Sequence, residues 1–455
     1  MALPQNTINV IQLGLGFFLI FFAFNSQGFI EETVINSFSD KGEISKHAGY
    51  TSLAIIYAVF TLANFAAAPI VNQLGPKLSM VLAAMTYGLF QCGFLFLNTP
   101  FLYLSSAVIG VGAAVIWTAQ GKYLSMNSNA ESSGRHSGIF WATSQCCILF
   151  GGVFLYFVFD GSGDSDNISD STVKVLYGVF TAVTVCGAVV LGLLRMKSNY
   201  GVYEVGTGDT QLKVSQKEVI LGAFKLMATR RMGFLILAFA YTGVELSFWS
   251  GIYPTCISFT KKLGSNTHTL VAFNAMAQGV GQICGGLLFG ILSSKTARFN
   301  RQSKVLLGTL VHILCYMLIF INFPSDAPIN KTEKTGLIEP NIYLALFSTI
   351  LLGFGDACWN TQIFAHLITN YPKKSAEAFS LYKFYQSLLT CAVFFYGGVL
   401  ELQWHLLILV LMAVVGLVSF VAADRMPPPH SQIEATGDSD SDSNNETETI
   451  NAPTL

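Results

Sequence analysis

Charge is what this sequence has least of. Asp, Glu, Lys and Arg make up 11% of its 455 residues, where a water-soluble domain carries about 25%. Water is therefore not its main solvent. The charge that is present nearly cancels, with 25 basic and 26 acidic residues, so nothing points to a nucleic-acid partner. Metal-ligand spacing is missing too. The nine cysteines form no CxxC or Cys/His set, and His312, His366 and His405 are scattered, so no metal is expected. The adjacent pair Cys146-Cys147 suits neither a metal nor an ordinary disulfide, and the thiols read as small buried packing residues. Gly110-Val-Gly112 follows no strand and precedes no phosphate-binding lysine, which removes a nucleotide loop. With no soluble domain, metal cluster or nucleophile constellation, neither an enzyme nor a cofactor is expected. The first apolar run starts near Ile8 with no basic residue before it and no small-residue cleavage site after it, so a cleavable signal peptide is not expected.

What the sequence has in quantity is long apolar runs. Hydrophobic residues make up 52% of the chain, and runs of about 20 are long enough to cross a bilayer. Twelve spans can be drawn, at 8–30, 50–72, 78–97, 101–121, 137–159, 173–194, 233–256, 268–292, 304–323, 342–366, 377–399 and 404–424. The expected fold class is an all-α membrane protein of about twelve transmembrane helices in two six-helix pseudo-repeats. The expected division is an N-terminal bundle at 1–194, a linker at 195–232, a C-terminal bundle at 233–424 and a disordered acidic tail at 425–455. Lys and Arg set the orientation. With the N-terminus in the cytosol, 17 basic residues fall on the cytosolic side, 7 fall opposite, and Lys383 alone stays inside a span. Both termini are therefore expected in the cytosol. The sequons at Asn167 and Asn330 then fall on the opposite side and are glycosylation candidates, with Asn330 the better placed; a third, at Asn445, falls in the tail. Within the linker, Ser215 and Glu218 fit a capping box. Ile220, Leu221, Phe224 and Met227 follow at helical spacing among basic residues. This helix either lies on the inner leaflet or leads into the seventh span, since both use the same pattern. In the tail, Ser439, Ser441 and Ser443 alternate with Asp, in a stretch that serves either acidophilic kinases or solubility.

One motif occurs twice. Gly110, Gly112, Trp117 and Gln120 are echoed by Gly353, Gly355, Trp359 and Gln362, and Trp141 and Gln145 by Tyr382 and Gln386. Such self-similarity suggests two halves of one fold, as in secondary transporters. The second copy adds charge, with Asp356 where the first has Ala113 and Lys383 where it has Ala142.

Charges inside spans are few enough to name. Glu245 and Asp356 lie about a dozen residues from either end of the seventh and tenth spans, too deep for a short side chain to reach water. A bare carboxylate there costs about 3 kcal/mol on insertion scales. Each is expected to line a cavity, carry a proton or be paired, and both are candidates for substrate or ion coupling. Lys383 sits ~9 Å from its span's end and Asp356 ~18 Å from the same side, so Lys383 either reaches towards Asp356 or snorkels back to the headgroups. Gln120 and Gln362 are the repeat-related polar candidates, either for substrate or for helix–helix bonding. Glu31 and Glu32 end the first span at the outer interface, where solvation is expected. Gly286 and Gly290 form a small-xxx-small packing pattern.

Six plus six helices, a basic central linker and repeat-related fourth–fifth and tenth–eleventh helices resemble the major facilitator fold. Its usual signature between helices two and three is partly present as Asn72-Gln-Leu-Gly75-Pro76-Lys77, without the acidic residue. More specifically, five stretches resemble the Unc-93-like family and, within it, the orphan "major facilitator superfamily domain-containing" branch. They are GYTSLAIIYAVF from Gly49, AAVIWTAQGKYL from Ala113, GRHSGIFWA from Gly134, YTGVELSFWSG from Tyr241 and GFGDACWNTQ from Gly353. The resemblance runs from Ile8 to about Val421. It implies a multi-pass protein of the plasma or endolysosomal membrane, embedded in lipid, and no single activity. Two functions follow as expectations. One is an ion-coupled transporter of an unknown small solute. The other is a non-transporting accessory protein that regulates an ion channel or the trafficking of a membrane receptor.

Overall fold

In hydrocarbon every backbone N–H and C=O must find its partner within the protein, and an apolar run does so by becoming a helix. The computed structural model describes residues 3–40, 44, 48–162, 170–196, 216–264, 266–290 and 299–427. Asn167, the capping pattern that begins at Ser215, the side chains of Glu31 and Glu32, and the tail beyond 427 lie outside this description. The helices are α1 (Gln5–Asp40), α2 (Ala48–Leu74), α3 (Pro76–Gly93), α4 (Thr99–Met126), α5 (Ser133–Ser162), α6 (Asp170–Gly192) and α7 (Gln216–Met227). They continue with α8 (Arg230–Ser247), α9 (Tyr253–Phe259), α10 (Thr267–Gly290), α11 (Arg301–Asn322), α12 (Ile342–Asn370), α13 (Ser375–Tyr396) and α14 (Leu402–Asp424).

Among the described residues, ten helical stretches are long and apolar enough to cross a membrane, α8 and α9 forming one of them. The expected spans 268–292 and 377–399 fall on α10 and α13, which are outside the ten. The reason is visible in their polar content: Asn274, Gln278 and Gln282 on α10, and Glu377, Lys383 and Gln386 on α13, all buried. The spanning helices are apolar outward and mixed inward. On α11, Leu310, Leu314 and Met317 are exposed along one face, while Thr309, His312 and Tyr316 are buried on the other.

α1 packs on α5 and α6, α2 and α3 on α4, α8 on α13 and α14, and α12 on α10 and α11. Two seams join the first six spanning helices to the rest: α5 against α10, and α2 against α13. Along α2–α13 the contacts run from Tyr57–Phe394, through Thr61–Ser387, to Phe65–Phe384 and Asn72–Glu377. Along α5–α10 they run from Tyr156–Phe273 to Gly138–Gly290. Both seams are thus closed along the length of the helices.

The repeat seen in the sequence has a counterpart in packing. Gly110 meets α2 at Ile56, while Gly353 meets α10 at Gln278; Gly112 meets α3 at Thr86, while Gly355 meets α11 at His312. Trp117 packs on Phe17 of α1, and Trp359 on Tyr241 of α8. Each copy therefore touches the same three helices of its own half.

Two expectations change, and one feature is new. The linker helix α7 turns Val219, Ala223 and Leu226 inward, and not Ile220, Leu221 and Phe224, which are partly exposed. It docks across the α2–α13 seam, with Phe224 stacked on Phe65 and Met227 Sδ accepting from the Tyr385 hydroxyl at 3.0 Å. It stops before α8, whose first turn is capped by Thr229. The seventh span carries a π-turn at Phe248–Ile252. Pro254, one residue into α9, has no N–H to give to Ser250 in an α-helical ladder, and the extra residue absorbs the mismatch. Finally, not all thiols are buried: Cys186 and Cys284 are exposed.

Candidate functional site

Glu245 and Asp356 are brought together. Both are almost fully buried, at 1% and 3% exposure, with their carboxyl groups close enough to interact, and Glu245 Oε1 has no hydrogen-bond partner among the described residues. Two ionised carboxylates only accept and repel each other, so a proton on one of the two is what would let them bond directly. Each Asp356 oxygen also accepts from an amide: Gln282 Nε2 donates to Oδ2 at 2.6 Å and Asn360 Nδ2 to Oδ1 at 2.7 Å. Gln282 in turn accepts from Trp141 Nε1 of α5 at 2.6 Å. One side of the site is thus held from across the α5–α10 seam.

His312 closes the other side. Its Nε2 lies 3.1 Å from the Leu352 carbonyl and 3.7 Å from Glu245 Oε1, and its Nδ1 lies 2.5 Å from the Tyr241 hydroxyl. A carbonyl can only accept, so Nε2 carries a proton. Tyr241 also meets Tyr316 at 3.1 Å. Gly355 makes room for this ring, because a Cβ there would strike the imidazole.

Lys383 neither pairs directly with Asp356 nor reaches the headgroups. It is 4% exposed. Its ammonium donates to Gln386 Oε1 at 2.7 Å and lies 4.3 Å from the Trp117 ring, 4.8 Å from Tyr382 and 5.8 Å from Phe364. Such cation–π contacts are worth about 2 kcal/mol where water is excluded. It interacts with Asp356 through charge at longer range. A chain of donors connects the two: Gln386 Nε2 gives to Tyr382 Oη at 3.2 Å, Tyr382 Oη to Asn360 Oδ1, and Asn360 to Asp356. Every donor in it points from Lys383 towards Asp356.

The two glutamine candidates lie apart from this network. Gln120 is fully buried, with neither amide atom hydrogen-bonded among the described residues. Gln362 gives Nε2 to Thr361 at 3.1 Å and lines a cavity of about 850 Å³ at the face bearing Arg135, Arg301, Lys304 and Asp424. Asn330 is exposed on the α11–α12 loop, its backbone N–H bonded to Asp326. His312 and Gln282 were not expected at the site from the sequence, and Trp117 and Trp141 were marked there only as members of the repeat. His312 sits mid-span, and the depth argument that marked Glu245 applies to it equally.

Comparison with known proteins agrees with this architecture. Residues 40–421 match the family described as "Ion channel regulatory protein UNC-93". UNC93-like protein MFSD11 of Xenopus tropicalis is 39% identical over 431 residues, covering 91% of this chain and 95% of its own. Protein unc-93 homolog A of Bos taurus is 24% identical over 474 residues, with 93% and 95% covered. Among solved structures, a Major Facilitator Superfamily transporter, FucP, in the outward conformation superposes with a TM-score of 0.67 at 13% identity, covering 93% of this chain and all of its own.

Proposed function

The chain belongs to the UNC-93 family, and from that premise we propose that it is an ion-coupled solute carrier whose coupling site is the Glu245–Asp356 pair. It is a multi-pass membrane protein with the major facilitator fold. The observation that carries the proposal is the buried carboxyl pair, linked to Lys383 by a chain of hydrogen bonds, with Trp141 bonding Gln282 and Trp117 covering Lys383 from the other half. A structural polar contact needs no partner from the other half; a group that must gain and lose charge as the halves part does. The bundles at 1–194 and 233–424, joined by 195–232, are the moving bodies in this reading, and no enzymatic step is involved.

The test is flux. Sealed vesicles with wild type or Asp356→Asn at matched levels receive a proton or sodium gradient, and the accumulated solutes are profiled. Wild type is expected to enrich a solute at least tenfold over Asp356→Asn, and Glu245→Gln to behave as Asp356→Asn, both variants remaining folded. Equal accumulation by all three would remove the pair from the mechanism. A second reading rests on the family description as a channel regulator: an accessory protein bound to a channel or receptor. It is favoured if no solute accumulates and a membrane protein co-purifies at constant ratio.

Both termini lie in the cytosol in this reading, on the face rich in Lys and Arg, at the plasma or an endolysosomal membrane. A glycan is then expected at Asn330, which is exposed on the opposite face. Asn330→Gln should remove one glycosidase-sensitive step in gel mobility; an unchanged band would argue against this topology.

A further inference from the structure

We propose that Lys383 anchors a small organic carboxylate and that its binding is balanced by a second proton on the Glu245–Asp356 pair. This rests on the carrier reading and names the class of solute. An ammonium has three donors, and Lys383 spends one on Gln386 while aromatic faces cover the rest. One of those faces, Trp117, belongs to α4 and stands across the interface from α13. When the halves part, Trp117 leaves with its own half and the ammonium loses that cover.

A second donor stands on the helix that carries Trp117. Gln120 is three residues beyond Trp117, so on the same side of α4, and Gly121 next to it abuts Phe379 of α13. Gln120 is wholly buried with both amide atoms unbonded among the described residues. A carboxylate held by Lys383 could take the Gln120 amide N–H on its second oxygen. Trp117, Phe364 and Tyr382 would flank an apolar or aromatic body.

Charge sets the stoichiometry. In this proposal the empty site holds one positive lysine and one negative charge on the carboxyl pair; the donor chain through Gln386, Tyr382 and Asn360 joins the two ends. Such a chain stabilises the two ends together. A bound monoanion neutralises Lys383 and leaves the carboxyl pair unbalanced in a dry interior, where uncompensated charge is costly. One further proton restores balance. A dianion would leave a charge over, so the class is monocarboxylates. Other titratable groups facing the pair are Tyr241 on α8, Cys315, His312 and Tyr316 on α11, Cys358 on α12 and Tyr382 on α13. α10 presents Gln282, and α4 brings Trp117 to the lysine.

The experiment is thermal unfolding of the full chain in nanodiscs, titrated with sodium benzoate or sodium lactate, at pH 5.5 and 7.5. Choline chloride and glucose are the controls. Both carboxylates are fully ionised over this range. The expected result is stabilisation by at least one carboxylate, with apparent affinity rising about tenfold per unit fall in pH, as linkage requires for one proton per anion. Lys383→Met should abolish it and Lys383→Arg retain part of it. Asp356→Asn should flatten the pH dependence. Stabilisation that survives in Lys383→Met, that is independent of pH in the wild type, or that comes from choline or glucose alone overturns the proposal, as does no effect of either carboxylate. If carboxylates bind as described but none accumulates in vesicles, the carrier reading falls and the anion site stands. If a cation or sugar accumulates instead, the reverse holds.

Discussion

Replacing Asp356 by alanine is expected to destabilise the folded protein by about 3–6 kcal/mol. Its two oxygens accept from Gln282 and Asn360, and each buried donor left without a partner costs about 1–3 kcal/mol. Glu245 loses its neighbouring carboxyl, Gln282 is fully buried with no water to turn to, and Asn360, nearly so, keeps only its bond to the Asp356 backbone carbonyl at 3.1 Å. Asp356→Asn keeps the volume and one acceptor, so it should lose roughly half as much. The effect is read as the shift in unfolding midpoint in one detergent. A double mutant with Gln282→Ala isolates the contact: the two losses should fall short of additivity by about 1–3 kcal/mol. Strict additivity would mean that the hydrogen bond contributes nothing, and the braced site would have to be abandoned.

The spans were legible because a bilayer demands length and apolarity, and both can be counted. α10 and α13 are the instructive cases. They read as spans in sequence, yet their polar residues make them the least apolar of the set, and three of those residues, Gln282, Lys383 and Gln386, build the site. Asp356 and Glu245 were legible by depth alone. That they meet was not, because helix order says nothing about which faces α8 and α12 turn to each other. Lys383 shows the same gap. Its distance along the helix allowed pairing with Asp356 or escape to the headgroups, and the structure holds it under Trp117 from the other half. Cross-seam partners such as Trp117 and Trp141 leave no periodic trace. The π-turn did leave one, in Gly251 followed by Pro254, just after the carboxylate. α7 was half legible: its helix is there, but its apolar residues wrap far enough round that Val219, Ala223 and Leu226 could replace the expected stripe.

The second large effect is expected at Gly286, where leucine should destabilise the protein by about 3–5 kcal/mol. A Cβ at this position would lie 2.6 Å from the Ala142 backbone nitrogen and 2.9 Å from its Cα. Neither atom can rotate away, so α5 and α10 must separate. Separation is blocked behind, because Gly285 of α10 faces Ala357 of α12, where a Cβ would come within 2.6 Å of the alanine Cβ. α10 is therefore held between two helices by glycines on two faces, as close packing in a bilayer favours small residues. Pushing it also moves Gln282, four residues before Gly286, and with it the bonds to Asp356 and Trp141. Gly286→Ala should lie between wild type and leucine, since one methyl already violates the contact. Gly233→Ala is the control: nothing lies within 4 Å of its Cβ position, so the change should stay within about 0.5 kcal/mol. Unfolding midpoints of the four proteins decide the matter. A wild-type midpoint for Gly286→Leu would mean that the α5–α10 seam bears little of the fold's stability. It would then be a contact the halves could surrender without loss.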